Sequence, residues 1–119
     1  MRLSYYLIAS ALLAVVPATH VPSDHDEFVF VRQQIKSSRG FIPKNGYVPD
    51  KDTAIAIAYA VAVPVYGKDT VAAEKPFRAE LEGGRWTVLG TLHGKGPGGT
   101  VIVQIDQGSG KICYLSHSM

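Results

Sequence analysis

Hydrophobic and polar positions change rhythm three times along the chain. The first run, Tyr5 to Val16, carries no charged residue and only one hydroxyl that is not phenolic, Ser10. The second, residues 54–63, alternates alanine with Ile, Tyr and Val and holds no charge at all. From residue 77 the period becomes two. Phe77, Ala79 and Leu81 share one face, while Arg78, Glu80 and Glu82 share the other. Strict alternation of apolar and polar residues marks a half-buried strand. Gly83-Gly84 then supplies a two-residue hairpin turn. Trp86, Val88, Gly90 and Leu92 line up in a second strand, and Val101, Val103 and Ile105 in a third. Gln107-Gly108-Ser109-Gly110 turns the chain into a fourth strand over 111–116.

The alanine-rich run is predicted as the main helix, over 51–63. Its alternation sets one apolar class against another, so neither face of a strand would be polar. Alanine is the best helix former, and Asp50 stands where an N-cap belongs, with Asp52 in the first turn. Pro64 is expected to end or kink this helix, and Gly67 to reverse the chain. Upstream, residues 19–27 read as a polar linker. Residues 28–36 read as a helix, with Ser23 and three acids before it and Lys36 and Gly40 after it; Phe28 to Val31 also fit a strand. Residues 37–49 read as a loop. The expected fold is α+β: a main helix, with an N-terminal helix added, packed on a four-stranded antiparallel meander, a reduced cone-like sheet.

The first run fits an export leader over residues 1–18. Arg2 precedes it, and Val16-Pro17-Ala18 offers compact residues for cleavage after Ala18. The run is short for a membrane span, which needs about 20 residues. A periplasmic or secreted chain without stable membrane insertion is therefore expected. Residues 19–45 then form an N-terminal segment and 46–119 the helix-plus-sheet domain. With Cys113 as the only cysteine, no intramolecular disulfide can form. The 12 basic residues nearly balance the 10 acidic ones, which gives no electrostatic reason to expect nucleic acid.

Candidate chemistry is thin. Gly94 to Gly99 spells G-x-G-x-x-G, yet a strand follows it, whereas a dinucleotide site needs a helix there. His20, His25, His93 and His117 form no metal-type pair, and no metal or cofactor is expected. Cys113, with His117 four residues on, reads as a structural thiol. Parity in the first three strands points no titratable group inward. Glu80, Glu82 and Asp106 fall on the opposite face with Arg78 and Arg85. No catalytic residue is assigned.

The ordered words Gly46-Tyr47-Val48-Pro49-Asp50-Lys51-Asp52-Thr53-Ala54, Pro64-Val65-Tyr66-Gly67, Lys75-Pro76-Phe77-Arg78-Ala79, Trp86-Thr87-Val88-Leu89-Gly90-Thr91-Leu92, Gly98-Gly99 and Gly110-Lys111-Ile112 carry a resemblance. Together they resemble the small bacterial immunity-protein family with a nuclear-transport-factor-2-like fold. The resemblance implies a helix-plus-sheet fold and an antidote that meets its cognate toxin by protein contact; it carries over no catalytic residue. One departure stands out. Where such proteins place charges on the outer face of the main helix, this chain has Ala56, Tyr59 and, one turn later, Val63. A helix apolar nearly all round is either buried, here beneath residues 28–35, or exposes a stripe for a partner. Ala56, Tyr59 and Val63 are the candidate partner-binding residues. Two other functions share this sequence pattern. One is an envelope inhibitor or adaptor binding a host hydrolase. The other is a small-ligand binder or enzyme using the interior, which needs an inward polar group.

Overall fold

The computed structural model describes residues 21–94 and 98–117. The expected leader over 1–18 lies outside the described residues, as do 95–97 of the glycine-rich loop. The chain divides into two compact units, Met1–Gly40 and Phe41–Met119.

The first unit contributes helix α1, Asp24–Ile35. It begins earlier than the sequence reading, which placed a linker over 19–27. Ser23 and Asp26 form a capping box. The Asp26 amide donates to Ser23 Oγ at 3.2 Å, and the Ser23 amide donates to the Asp26 carboxylate at 3.1 Å. Two otherwise unpaired donors are thereby satisfied, which moves the helix start to residue 24. No residue of α1 is buried.

In the second unit the main helix, α2, runs Lys51–Tyr66. Asp50 caps it: its carboxylate accepts the Thr53 amide at 2.8 Å and the Thr53 hydroxyl at 2.7 Å. The helix passes through Pro64 instead of ending before it. Pro64 and Ala60 are both exposed, so the carbonyl that the proline ring cannot pair meets water. Gly67, at φ +94°, ends the helix and opens a short helix α3, Lys68–Ala72, which the sequence reading missed.

Strands β1 (Arg78–Glu82), β2 (Arg85–Leu89), β3 (Val101–Asp106) and β4 (Ile112–His117) form one antiparallel sheet in the order β1-β2-β3-β4. Gly83 and Gly84 both have positive φ, 58° and 74°, as a type I′ hairpin requires. The sheet does not close on itself; helices cover one face, as the α+β expectation holds. One inner row runs Ala79, Val88, Val103, Leu115, and the next runs Leu81, Trp86, Ile105, Ile112. Trp86, Val88, Val101, Val103 and Ile105 are buried as parity predicts. Leu81 and Leu92 are not: Leu81 sits on the edge strand beside the hairpin tip, and Leu92 lies beyond the end of β2.

Helix α2 meets the sheet through alanine. Ala54, Ala58 and Ala62, spaced one turn apart, are fully buried. Their small side chains let the helix lie close, while Ile55, Ile57, Tyr59, Val63 and Tyr66 pack against the core from the flanks. A second tie comes from the segment before the helix. The Tyr47 and Val48 amides donate to Gly108 and Gln107 carbonyls, each at 3.0 Å. The Val48 carbonyl accepts the buried Trp86 indole N–H at 2.8 Å. Gly46 makes this approach possible: at φ +82°, a β-carbon there would fall on the Gln107 carbonyl.

The Thr53 amide, then its hydroxyl, holds the Asp50 carboxyl below the ordinary aspartate value. A folded-state value below the unfolded one adds stability above about pH 3.9, lost as the pH falls through the folded value. Asp50→Ala is expected to lower the melting temperature at neutral pH and to have a smaller effect in acid. Thermal unfolding monitored by circular dichroism across that range checks both.

Candidate functional site

A groove opens along one flank of α2. Asp52, Ile55, Ala56 and Tyr59 follow the i, i+3, i+4, i+7 spacing of one helix face and form one wall. Lys75, Pro76 and Phe77 form the other, and together they enclose about 690 Å³. Its surface is mostly apolar. The Tyr59 ring meets Phe77 edge-on, with centroids 5.8 Å apart. The Lys75 ammonium lies 4.9 Å from the centre of the Tyr59 ring, a cation–π contact.

The second wall is fixed by its backbone. The Thr91 amide donates to the Glu74 carbonyl at 2.7 Å, and His93 Nε2 reaches the Lys75 carbonyl at 2.6 Å. His93 is thus an exposed side chain that braces the groove. Of the three candidate partner-binding residues, Ala56 and Tyr59 line the groove, Ala56 exposed and Tyr59 half-buried. Val63 is half-buried against the core and is not among the lining residues.

The interior is not free of ionisable groups, contrary to the parity argument. Glu74, 7% exposed, points inward between the helices and the sheet. One carboxylate oxygen accepts the Val101 amide at 2.6 Å; the other meets His117 Nε2 at 3.0 Å. The His117 ring packs against Tyr66 of α2, centroids 5.4 Å apart. Gly90 completes the arrangement, because a β-carbon at that position would fall on a Glu74 carboxylate oxygen. Burial of a carboxylate is costly unless its oxygens are paired, and here each has a partner.

Parity missed this pair for two reasons. Glu74 lies in the connection between α3 and β1, where no strand period applies. His117 lies on β4, outside the three strands whose faces were assigned. There it pairs with inward-facing Val101. A signal was present: an acid placed directly before the Lys75-Pro76-Phe77 word, and a glycine amid large residues of β2's inner face. The pair ties the connection before β1 to the start of β3 and the end of β4.

The regular period of β4 is interrupted at Cys113, four residues before His117. Gln104 opposes Tyr114 while Ile105 opposes Ile112, so Cys113 is the extra residue of a bulge. Its thiol contacts the Lys111 carbonyl at 3.5 Å. Among the described residues, no cluster of three or more His, Cys, Asp or Glu could hold a metal ion, and no helix is long and apolar enough to cross a membrane.

Residues 53–119, which include α2 from its first turn, the Glu74 tie and all four strands, match the family model of NTF2 fold immunity proteins. The chain belongs to that family. No curated protein and no solved structure matches the chain.

Gly90→Ala is expected to destabilise the fold by about 1–3 kcal/mol through overpacking. Glu74→Ala is expected to cost about 2–3 kcal/mol, because it strands the buried Val101 amide and breaks the pair with His117. The two sites share one volume, so the double variant should cost less than the sum. Urea denaturation of the four proteins measures this; strict additivity would remove Gly90 from the Glu74 site.

Proposed function

We propose that this member of the NTF2-fold immunity family is exported, loses its leader after Ala18, and neutralises a cognate bacterial toxin in the periplasm or outside the cell by direct protein contact. The family match over residues 53–119 carries the immunity reading. The charge-free run from Tyr5 to Val16 supports export. Export in turn favours a toxin that acts in, or passes through, the cell envelope.

The groove on α2 supports a contact surface. An immunity protein works by occluding or distorting its toxin, which needs shape and apolar area and no reactive group. Tyr59 offers an aromatic anchor of the kind that dominates interface energetics. Pro76 and Ala56 beside it leave room for an incoming side chain. The toxin-binding residues on this reading are Ala56 and Tyr59, with Val63 supporting the helix behind them.

Co-expression of full chain and toxin tests the reading. Ala56→Arg fills the groove from an exposed position and is expected to abolish protection while circular dichroism stays unchanged. Tyr59→Ala is expected to weaken toxin binding about 30-fold, the equivalent of an anchor worth about 2 kcal/mol. Full protection by a folded Ala56→Arg variant would remove the groove from the interface. Recovery of the protein from the cytoplasm with residues 1–18 intact would refute export.

A further inference from the structure

The groove carries an opposite charge at each end, and this gives its occupant a chemical character and a direction. Asp52 stands in the first turn of α2 and Tyr59 seven residues on, about 10 Å along the helix axis. Lys75 lies over the Tyr59 ring, so its ammonium marks that end. Among the described residues neither charge has a salt-bridge partner; the one such contact joins Glu74 and His117. Between the two charges the lining is Ile55, Ala56, Pro76 and Phe77.

We propose that the groove receives an apolar segment of the toxin bounded by an acidic side chain at the Lys75 end and a basic side chain at the Asp52 end. This rests on the toxin-binding reading above and adds the chemistry of the partner. Charge complementarity supplies the argument. An apolar surface alone accepts many segments, whereas an unpaired cation held on an aromatic face and an unpaired carboxylate two turns away select one polarity. The span fits about three residues of extended chain or two turns of helix. The cation–π contact holds the Lys75 ammonium at the rim before binding, which reduces the side-chain entropy lost when a carboxylate arrives.

The test uses three proteins, wild type, Lys75→Glu and Ala56→Arg, with two readouts. A displayed library of random linear peptides is selected on each. The wild type is expected to enrich apolar peptides with an acid on one flank, Lys75→Glu to enrich a base at that flank, and Ala56→Arg to enrich neither. The same proteins enter the toxin-protection assay, where Lys75→Glu is expected to weaken binding at least about tenfold at low salt, the loss shrinking as salt screens the contact. Lost protection in Ala56→Arg with full protection in Lys75→Glu would overturn the charge assignment and leave the groove as the toxin site. Full protection in both would overturn the groove reading together with this one. Self-association of the wild type, broken by Ala56→Arg, would place a second copy in the groove and also overturn the proposal.

Discussion

Glu74 ties the open end of the sheet to the helices. Its carboxylate accepts the first amide of β3 and meets the last residue of β4, while its own carbonyl accepts the Thr91 amide after β2. His117 then rests against Tyr66 of α2. Strands β3 and β4 and the segment after β2 thus meet at one residue of a connecting segment, and the main helix joins through His117. The tie is local in space and long in sequence, spanning 27 residues to Val101 and 43 to His117. A sheet that does not close leaves polar groups at its end in need of partners, and Glu74 supplies partners for the Val101 and Thr91 amides.

The same tie positions the groove. Lys75, Pro76 and Phe77 follow Glu74 directly, so fixing Glu74 fixes the wall opposite α2. The helix wall depends on the alanine stripe. Because Ala54, Ala58 and Ala62 bring α2 close to the sheet, the larger Ile55 and Tyr59 are displaced to the flank, where they remain partly accessible. A helix with leucine at those buried positions would stand farther off and open the flank differently. The groove is in this sense a by-product of close packing on the opposite side. Inside, both Glu74 carboxylate oxygens are engaged; at the groove, Asp52 and Lys75 have no salt-bridge partner among the described residues.

Much of the architecture was readable from local signals. The Asp50 cap, the Gly83-Gly84 turn and the inward row of Trp86, Val88, Val103 and Ile105 all rest on contacts a few residues long, or on a period of two. The errors also have local causes. The capping box of Ser23 and Asp26 was read as linker because acids near a proline resemble loop. Pro64 was given more breaking power than it has at an exposed last turn. Leu81 and Leu92 kept the right parity or spacing but lay beyond the reach of the helix cover.

By itself the sequence determined the order of the main helix and the four strands, the hairpin turns, the buried face of the central strands and the resemblance carried by residues 46–112. It also marked Ala56 and Tyr59, since an apolar pair on a helix face where charge is expected needs no coordinates to be noticed. Only the tertiary structure decided that an ionisable side chain, Glu74, faces inward, that a bulge interrupts β4 at Cys113, and that Lys75 lies on Tyr59 across a groove. Periodicity assigns faces within one element. It cannot say which side chains from connections and distant strands will meet, because those meetings are set by the packing of whole elements against one another.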